Sequence, residues 1–176
     1  MDNSQESLSR NSEQHYVHSV LRERIVEHAF VGDALRRLWQ CGATDVELLR
    51  SEFDAGGYDL VMSYGTTIRH IQFKVKVTGG SRTNVSASLN LMQKPSGCIV
   101  WIVVTPGLNV HSYLWFGDAP GRPLPDIRGM KIAKHAKANA AGIKLERPNQ
   151  RIVPRSAFTP VASLDALLER LFGSLP

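Results

Sequence analysis

Gly57-Tyr58-Asp59-Leu60-Val61 is followed, after a short turn, by Ile68-Arg69-His70-Ile71-Gln72-Phe73-Lys74, and the two segments read as adjacent β-strands. Side chains alternate across a strand, so Ile71, Phe73 and Val75 fall on one face and His70, Gln72, Lys74 and Lys76 on the other. In the first segment Asp59 is opposite in parity to Tyr58, Leu60, Met62 and Tyr64. An acid, an amide and an amine held on two paired strands suit metal-assisted attack on a phosphodiester. Little else in the chain points to a particular chemistry.

Working outward, the pattern before this pair is helical from about Tyr16 to Gln40, where Val20, Val31, Ala34, Leu35 and Leu38 recur at three- and four-residue steps. Glu27 lies near the middle of that stripe. A carboxylate on an apolar face costs several kcal/mol of desolvation unless something pairs with it; a divalent cation, Lys74 or an arginine would serve. Glu23, one turn earlier, is the backup candidate. A strand is expected at about Asp45–Arg50, then a loop over Ser51–Gly57.

After the pair, Asn84 to Gln93 is expected to form a helix, and Cys98 to Val104, nearly all β-branched or aromatic, a central strand covered on both faces. Ser112–Phe116 reads as the last strand of the core and Gly117–Gly129 as a long loop. A basic helix at about Met130–Ala141, an extended piece around Arg151–Pro154 and an amphipathic helix at Ser163–Phe172 complete the order. The fold class is therefore α/β, with a mixed central sheet flanked by helices.

Composition bounds the rest. The 176 residues suit one domain, 43% of them hydrophobic and 21% charged, which is ordinary for a soluble globular chain. Residues 1–14, polar with one Leu, are expected to be a disordered tail. The body then divides into a core over about 16–116 and a basic extension over about 117–176. The formal charge of +5 is modest evidence for a polyanionic partner. Two cysteines, Cys41 and Cys98, are too few for a zinc knuckle or a disulfide framework and fit a reducing cytoplasm. There is no signal-peptide pattern and no apolar run long enough to span a bilayer, so no membrane partner is expected. No Walker loop, dinucleotide fingerprint or Gly-x-Ser-x-Gly elbow occurs.

A helix-borne Glu27, Asp59 on a strand and Gln72-x-Lys74 on the next resembles the PD-(D/E)xK nuclease superfamily, in the variant where Gln replaces the second acid. The resemblance covers about Tyr16 to Val104. It implies a restriction-endonuclease-like core of order αβββαβ and a Mg²⁺-dependent nuclease (Mn²⁺ as substitute), with DNA as the expected substrate. By that resemblance Asp59 is the main metal ligand, Gln72 ligates through its side-chain oxygen, the carbonyl of Phe73 contributes, and Glu27 binds directly or through water. Lys74 orients or deprotonates the attacking water and steadies charge on the phosphate. Gln72 is neutral, so the site holds Mg²⁺ with one negative charge fewer than the common pattern. Two alternatives stay open: a catalytically silent domain of this fold that binds nucleic acid or a protein, and an unrelated α/β protein whose polar residues form a surface ion-pair cluster. A homodimer is also compatible.

Glu52 and Asp54, beside the Gly56-Gly57 turn, are auxiliary ligand candidates that more simply read as turn formers. Lys76 and His70 share the face of Lys74, and surface exposure is the plainer account of both. Arg82, in Gly80–Asn84 before the expected second helix, could meet a phosphate with the backbone amides there. Lys131, Lys134 and Lys137, at steps of three, would share one face of the basic helix and contact nucleic acid. Trp101, Tyr113, Trp115 and Phe116 read as core rather than as stacking platforms.

Overall fold

Gly65, at φ +55°, supplies the left-handed residue of a two-residue turn that folds strand β2 (Leu60–Tyr64) against β3 (Thr67–Val77). The computed structural model describes residues 17–53 and 55–175; the expected tail over 1–14, Tyr16 and Asp54 lie outside them. Helix α1 (Ser19–Gln40) and strand β1 (Val46–Arg50) precede the hairpin. After it come β4 (Asn84–Ser88), the one-turn helix α2 (Leu89–Met92), β5 (Gly97–Val104) and β6 (Val110–Gly117). Next are β7 (Ile132–Lys134), β8 (Glu146–Pro154), a 3₁₀ turn (Arg155–Ala157), β9 (Thr159–Val161) and helix α3 (Leu164–Phe172).

Six strands form one mixed sheet in the order β1-β2-β3-β5-β6-β9. Only β3 and β5 run parallel, in register from His70↔Gly97 to Val77↔Val104. A parallel neighbour requires a crossover, and β4 with α2 provides it. β4, β8 and β7 make a second, three-stranded antiparallel sheet. The protein is an α/β structure with a mixed central sheet.

Two apolar layers cover that sheet. On one face Val26, Phe30, Ala34 and Leu38 of α1 and Leu167, Leu168 and Leu171 of α3 pack on Leu60, Ile71, Phe73, Val100 and Ile102. On the other, Ile99, Trp101, Leu114 and Phe116 meet Val85, Ala87 and Val153 of the small sheet and Leu91 of α2. Covered on both sides, β5 is the central strand its composition predicts, and Trp101, Tyr113, Trp115 and Phe116 are all buried. Each large side chain removed from water in these layers contributes about 1.5–3 kcal/mol.

Four expectations change. The expected helix over Asn84–Gln93 is a strand with a single helical turn after it. Val85 and Ala87 alternate with Ser86 and Ser88 and pair with Val153 and Arg151, so period-two burial prevails over local helix propensity. Arg82 therefore precedes a strand, and no helix start is there to collect a phosphate. Nor is Met130–Ala141 a helix: Ile132–Lys134 pairs with β8, which separates Lys131, Lys134 and Lys137 from any common helical face. Finally, the apolar stripe of α1 is Val26, Phe30, Val31, Ala34 and Leu38, while Val20 and Leu35 are exposed.

The residues beyond Gly117 are not a simple appendage. β9 extends the main sheet beside β6, β8 pairs with β4, and α3 closes the first core. Among the described residues no helix is long and apolar enough to cross a membrane.

Candidate active site at the open edge of the central hairpin

β2 stops at Leu60, whereas β3 runs on to Val77. Backbone groups along a strand turn alternately to its two neighbours. His70 N–H donates to Ser96 O at 2.9 Å and Thr78 N–H to Val104 O at 2.8 Å, both on the β5 side. Phe73 and Val75, of odd parity, therefore present their N–H and C=O to the side that β2 has vacated. That open edge is where the site is built.

Asp59 is aimed at this edge by a local irregularity. The register pairs Leu60 with Ile71, yet Asp59 N–H also donates to Ile71 O at 2.9 Å. Two consecutive residues thus face one, the arrangement of a β-bulge, which re-aims a side chain. The Asp59 carboxylate accepts from the Phe73 N–H through Oδ2 at 2.7 Å. Two residues earlier Gly57, at φ +74°, lets the loop pass close to the end of β4: a Cβ there would stand 2.5 Å from Ser88 Cβ.

Glu27 meets Asp59 across one cavity of about 140 Å³, lined also by Glu23, Arg24, Phe73 and Val75. Glu27 is only 4% exposed. Its Oε2 accepts from Arg24 Nη1 at 3.0 Å and its Oε1 from Arg50 Nη1. Two guanidinium groups bracket that one carboxylate, while the Asp59 and Glu23 carboxylates line the same cavity. A shallower cavity of about 450 Å³ continues past Asp59 along Arg24, His28, Arg50, Glu52 and Tyr58. Arg24 could be read as a partner from its i,i+3 spacing to Glu27. Arg50, brought in by the β1–β2 pairing, has no sequence signal.

Gln72 and Lys74 flank the same edge from the opposite face. Their register partners, Ile99 and Trp101, belong to the second core. Gln72 is buried, and its Oε1 has no hydrogen-bond partner among the described residues; such an orphaned acceptor costs about 1–3 kcal/mol. His70 lies one step along, edge-on to Tyr58 at 5.1 Å between centroids, and Lys94 sits over the Tyr58 ring. Burial, with Lys94 adding to it, lowers the pKa of His70.

The remaining candidates are more peripheral. Glu23 lines the smaller cavity and lies 3.7 Å from Arg22 and 3.9 Å from Arg82. Lys76 Nζ donates to Arg82 O at 3.0 Å, and Arg82 Nη1 to Val75 O at 3.4 Å. Arg82 thus closes the far end of the open edge. Lys131, Lys134 and Lys137 are all exposed.

No family model, curated protein or solved structure matches this chain. The donors themselves must carry the argument. Asp59, the orphaned Gln72 Oε1 and the edge carbonyl of Phe73 are hard oxygen donors of the kind Mg²⁺ and Mn²⁺ take. Glu27 shares a cavity with Asp59 and Phe73 on the face covered by α1, across the sheet from Gln72, and both its oxygens already accept from arginines. Among the described residues no three His, Cys, Asp or Glu side chains form a metal-holding group.

Proposed function

We propose that this protein is a metal-dependent nuclease of the restriction-endonuclease-like kind, hydrolysing phosphodiester bonds in DNA. The observation that carries the reading is the open edge of β3. There the Asp59 carboxylate reaches the Phe73 backbone at 2.7 Å, with Glu27 in the same cavity and Gln72-x-Lys74 on the strand itself. Asp59, Gln72 and the Phe73 carbonyl would hold Mg²⁺, with Mn²⁺ as substitute. Bound there, the ion supplies Lewis-acid charge to the phosphate and lowers the pKa of water.

The chain's own groups do the rest. Asp59 is held by the Phe73 amide so that its carboxylate stays turned to the edge. Lys74 orients the attacking water with its Nζ and donates to the phosphate oxygen on which charge accumulates. Arg24 and Arg50, which line the larger cavity, would donate hydrogen bonds to the oxygens of a phosphodiester backbone.

The doubly paired Glu27 favours a second reading, a silent domain of the same fold that binds nucleic acid without cutting it. Incubating the purified protein with duplex DNA, single-stranded DNA and RNA, each with Mg²⁺, Mn²⁺ or EDTA, decides between them. Cleavage that needs the metal and is lost in Lys74→Ala and Asp59→Asn supports the nuclease. Intact substrates in every lane, from protein that melts cooperatively, leave the silent domain.

A further inference from the structure

β7 ends at Lys134 and β8 begins at Glu146, and the loop 135–145 between them extends the hairpin as an arm tied across by two backbone hydrogen bonds. His135 N–H donates to Leu145 O and Asn139 N–H to Ile143 O, both at 2.9 Å. The tip is closed by Asn139, whose Oδ1 accepts from Ala141 N–H at 3.0 Å and Ile143 N–H at 2.9 Å, an Asx turn. Every residue from Lys134 to Asn149 is exposed, so the segment stands clear of both cores.

Its charge is as distinctive as its shape. From Lys131 to Arg151 there are six Lys and Arg and one acid, Glu146. That balance, +5, equals the formal charge of the entire 176-residue chain; the 15 basic and 15 acidic residues elsewhere cancel. Glu146 stands opposite Lys134 in the ladder. Among the described residues no lysine or arginine of the arm lies within an ion-pair distance of an acid. Like charges crowded on a narrow ribbon repel one another, an arrangement that polyanion binding would offset.

We infer that this arm is a docking element for duplex DNA, laid against the phosphates with the ribbon in a groove. Three properties favour that partner. A two-stranded ribbon fits the B-DNA major groove, about 12 Å wide, whereas the A-form major groove of duplex RNA is too narrow for side chains to read. Residues 131–151 contain no Phe, Tyr or Trp, so the arm lacks the stacking surfaces that single strands require. Its exposed large apolar side chains are Ile143 and Leu145, a small footing for a lipid surface. The root of the arm belongs to the sheet that packs, through Val85 and Val153, on the face of the central sheet carrying Gln72 and Lys74. This inference deepens the nuclease reading by naming duplex DNA as the substrate and rests on it for that meaning, but DNA binding by the arm stands apart from cleavage.

The test is binding of the full chain to a short fluorescent DNA duplex, in EDTA, by anisotropy over a range of NaCl concentrations. The variant Lys134→Gln/Lys137→Gln/Lys144→Gln/Arg147→Gln should weaken binding at least about tenfold. It should also flatten the plot of log affinity against log salt by about 0.9 for each phosphate that the arm no longer neutralises. The charge-preserving variant Lys134→Arg/Lys137→Arg/Lys144→Arg/Arg147→Lys should bind like the wild type, and both should melt at its temperature. Unchanged affinity and slope in the glutamine variant overturn the inference. So does a wild type that ignores duplex DNA, or that prefers single strands, duplex RNA or vesicles rich in phosphatidylserine. Because EDTA removes the metal, failure to cleave DNA in the Mg²⁺ assay overturns the nuclease reading without touching this result, and the converse also holds.

Discussion

Glu27 brings a carboxylate into an apolar helix face, and two arginines make that burial tolerable. Removing one member of a fully buried pair costs about 3–5 kcal/mol. Here Arg24 and Arg50 side chains are 59% and 35% exposed, so they rehydrate when the acid goes. Glu27→Ala is expected to lower stability by about 1–2 kcal/mol in urea unfolding. Glu27→Gln separates pairing from metal support. If the acid assists the ion, the Mg²⁺ concentration for half-maximal cleavage rises about tenfold or more. If it serves the arginines alone, stability falls and the Mg²⁺ requirement stays where it was.

His70 gives this site a pH signature. Burial first, and Lys94 second, hold its pKa below the ordinary 6.5. The unfolded chain then binds more protons than the native one once pH drops below about 6.5, so stability contributed above that value is lost as pH falls through the lower, folded pKa. Denaturant titrations of wild type and His70→Gln should diverge in that acid window, with the flatter profile in the variant. Parallel profiles would mean that His70 is hydrated and titrates normally.

At the level of elements, the hairpin, β5, β6 and the two long helices were legible because each has a clean period and a bounding turn. The failures share one cause. Asn84–Ser88 and Lys131–Lys134 are short, and their local sequence is compatible with a helix, but both are claimed by β8, which lies far downstream of the first and beyond the loop 135–145 from the second. No local pattern announces a partner at that distance. Asp59, Gln72 and Lys74 were visible from strand parity; the bulge that turns Asp59 to the edge was not, since it exists only in the pairing of β2 with β3. Gly57→Ala probes that geometry. It combines a left-handed backbone with a Cβ 2.5 Å from Ser88 Cβ, and should cost about 2–4 kcal/mol. Any cleavage should fall further than the folded fraction does, because the loop delivers Asp59. Activity that merely tracks the folded fraction would detach Gly57 from the site.

Across the whole molecule one residue ties the site-bearing strand to the end of the chain. Arg69, in β3, is fully buried, and burial lowers its pKa. Its Nε donates to Leu171 O at 2.7 Å, and Nη2 to Arg170 O at 2.7 Å and Asp118 O at 2.9 Å. Its guanidinium carbon lies 5.3 Å from the centre of the Trp115 ring. The last carbonyls of a helix have no partner within it; here a cation from the central sheet donates to two of them, at the helix end where positive charge is favoured. Nothing in the sequence marked Arg69 for this, since it reads as one more polar residue in a strand. Arg69→Met keeps the bulk and removes the donors, leaving three carbonyls to find water. The expected loss is about 3 kcal/mol or more. Arg69→Lys, a point charge without the fork, should fall between the two. Amide exchange supplies the discriminating readout. If Arg69 clamps α3, protection in Leu164–Phe172 drops by more than the global loss of stability explains, while β5 follows the global change. Uniform loss across both elements would make Arg69 a packing residue, with α3 held by Leu167, Leu168 and Leu171 alone.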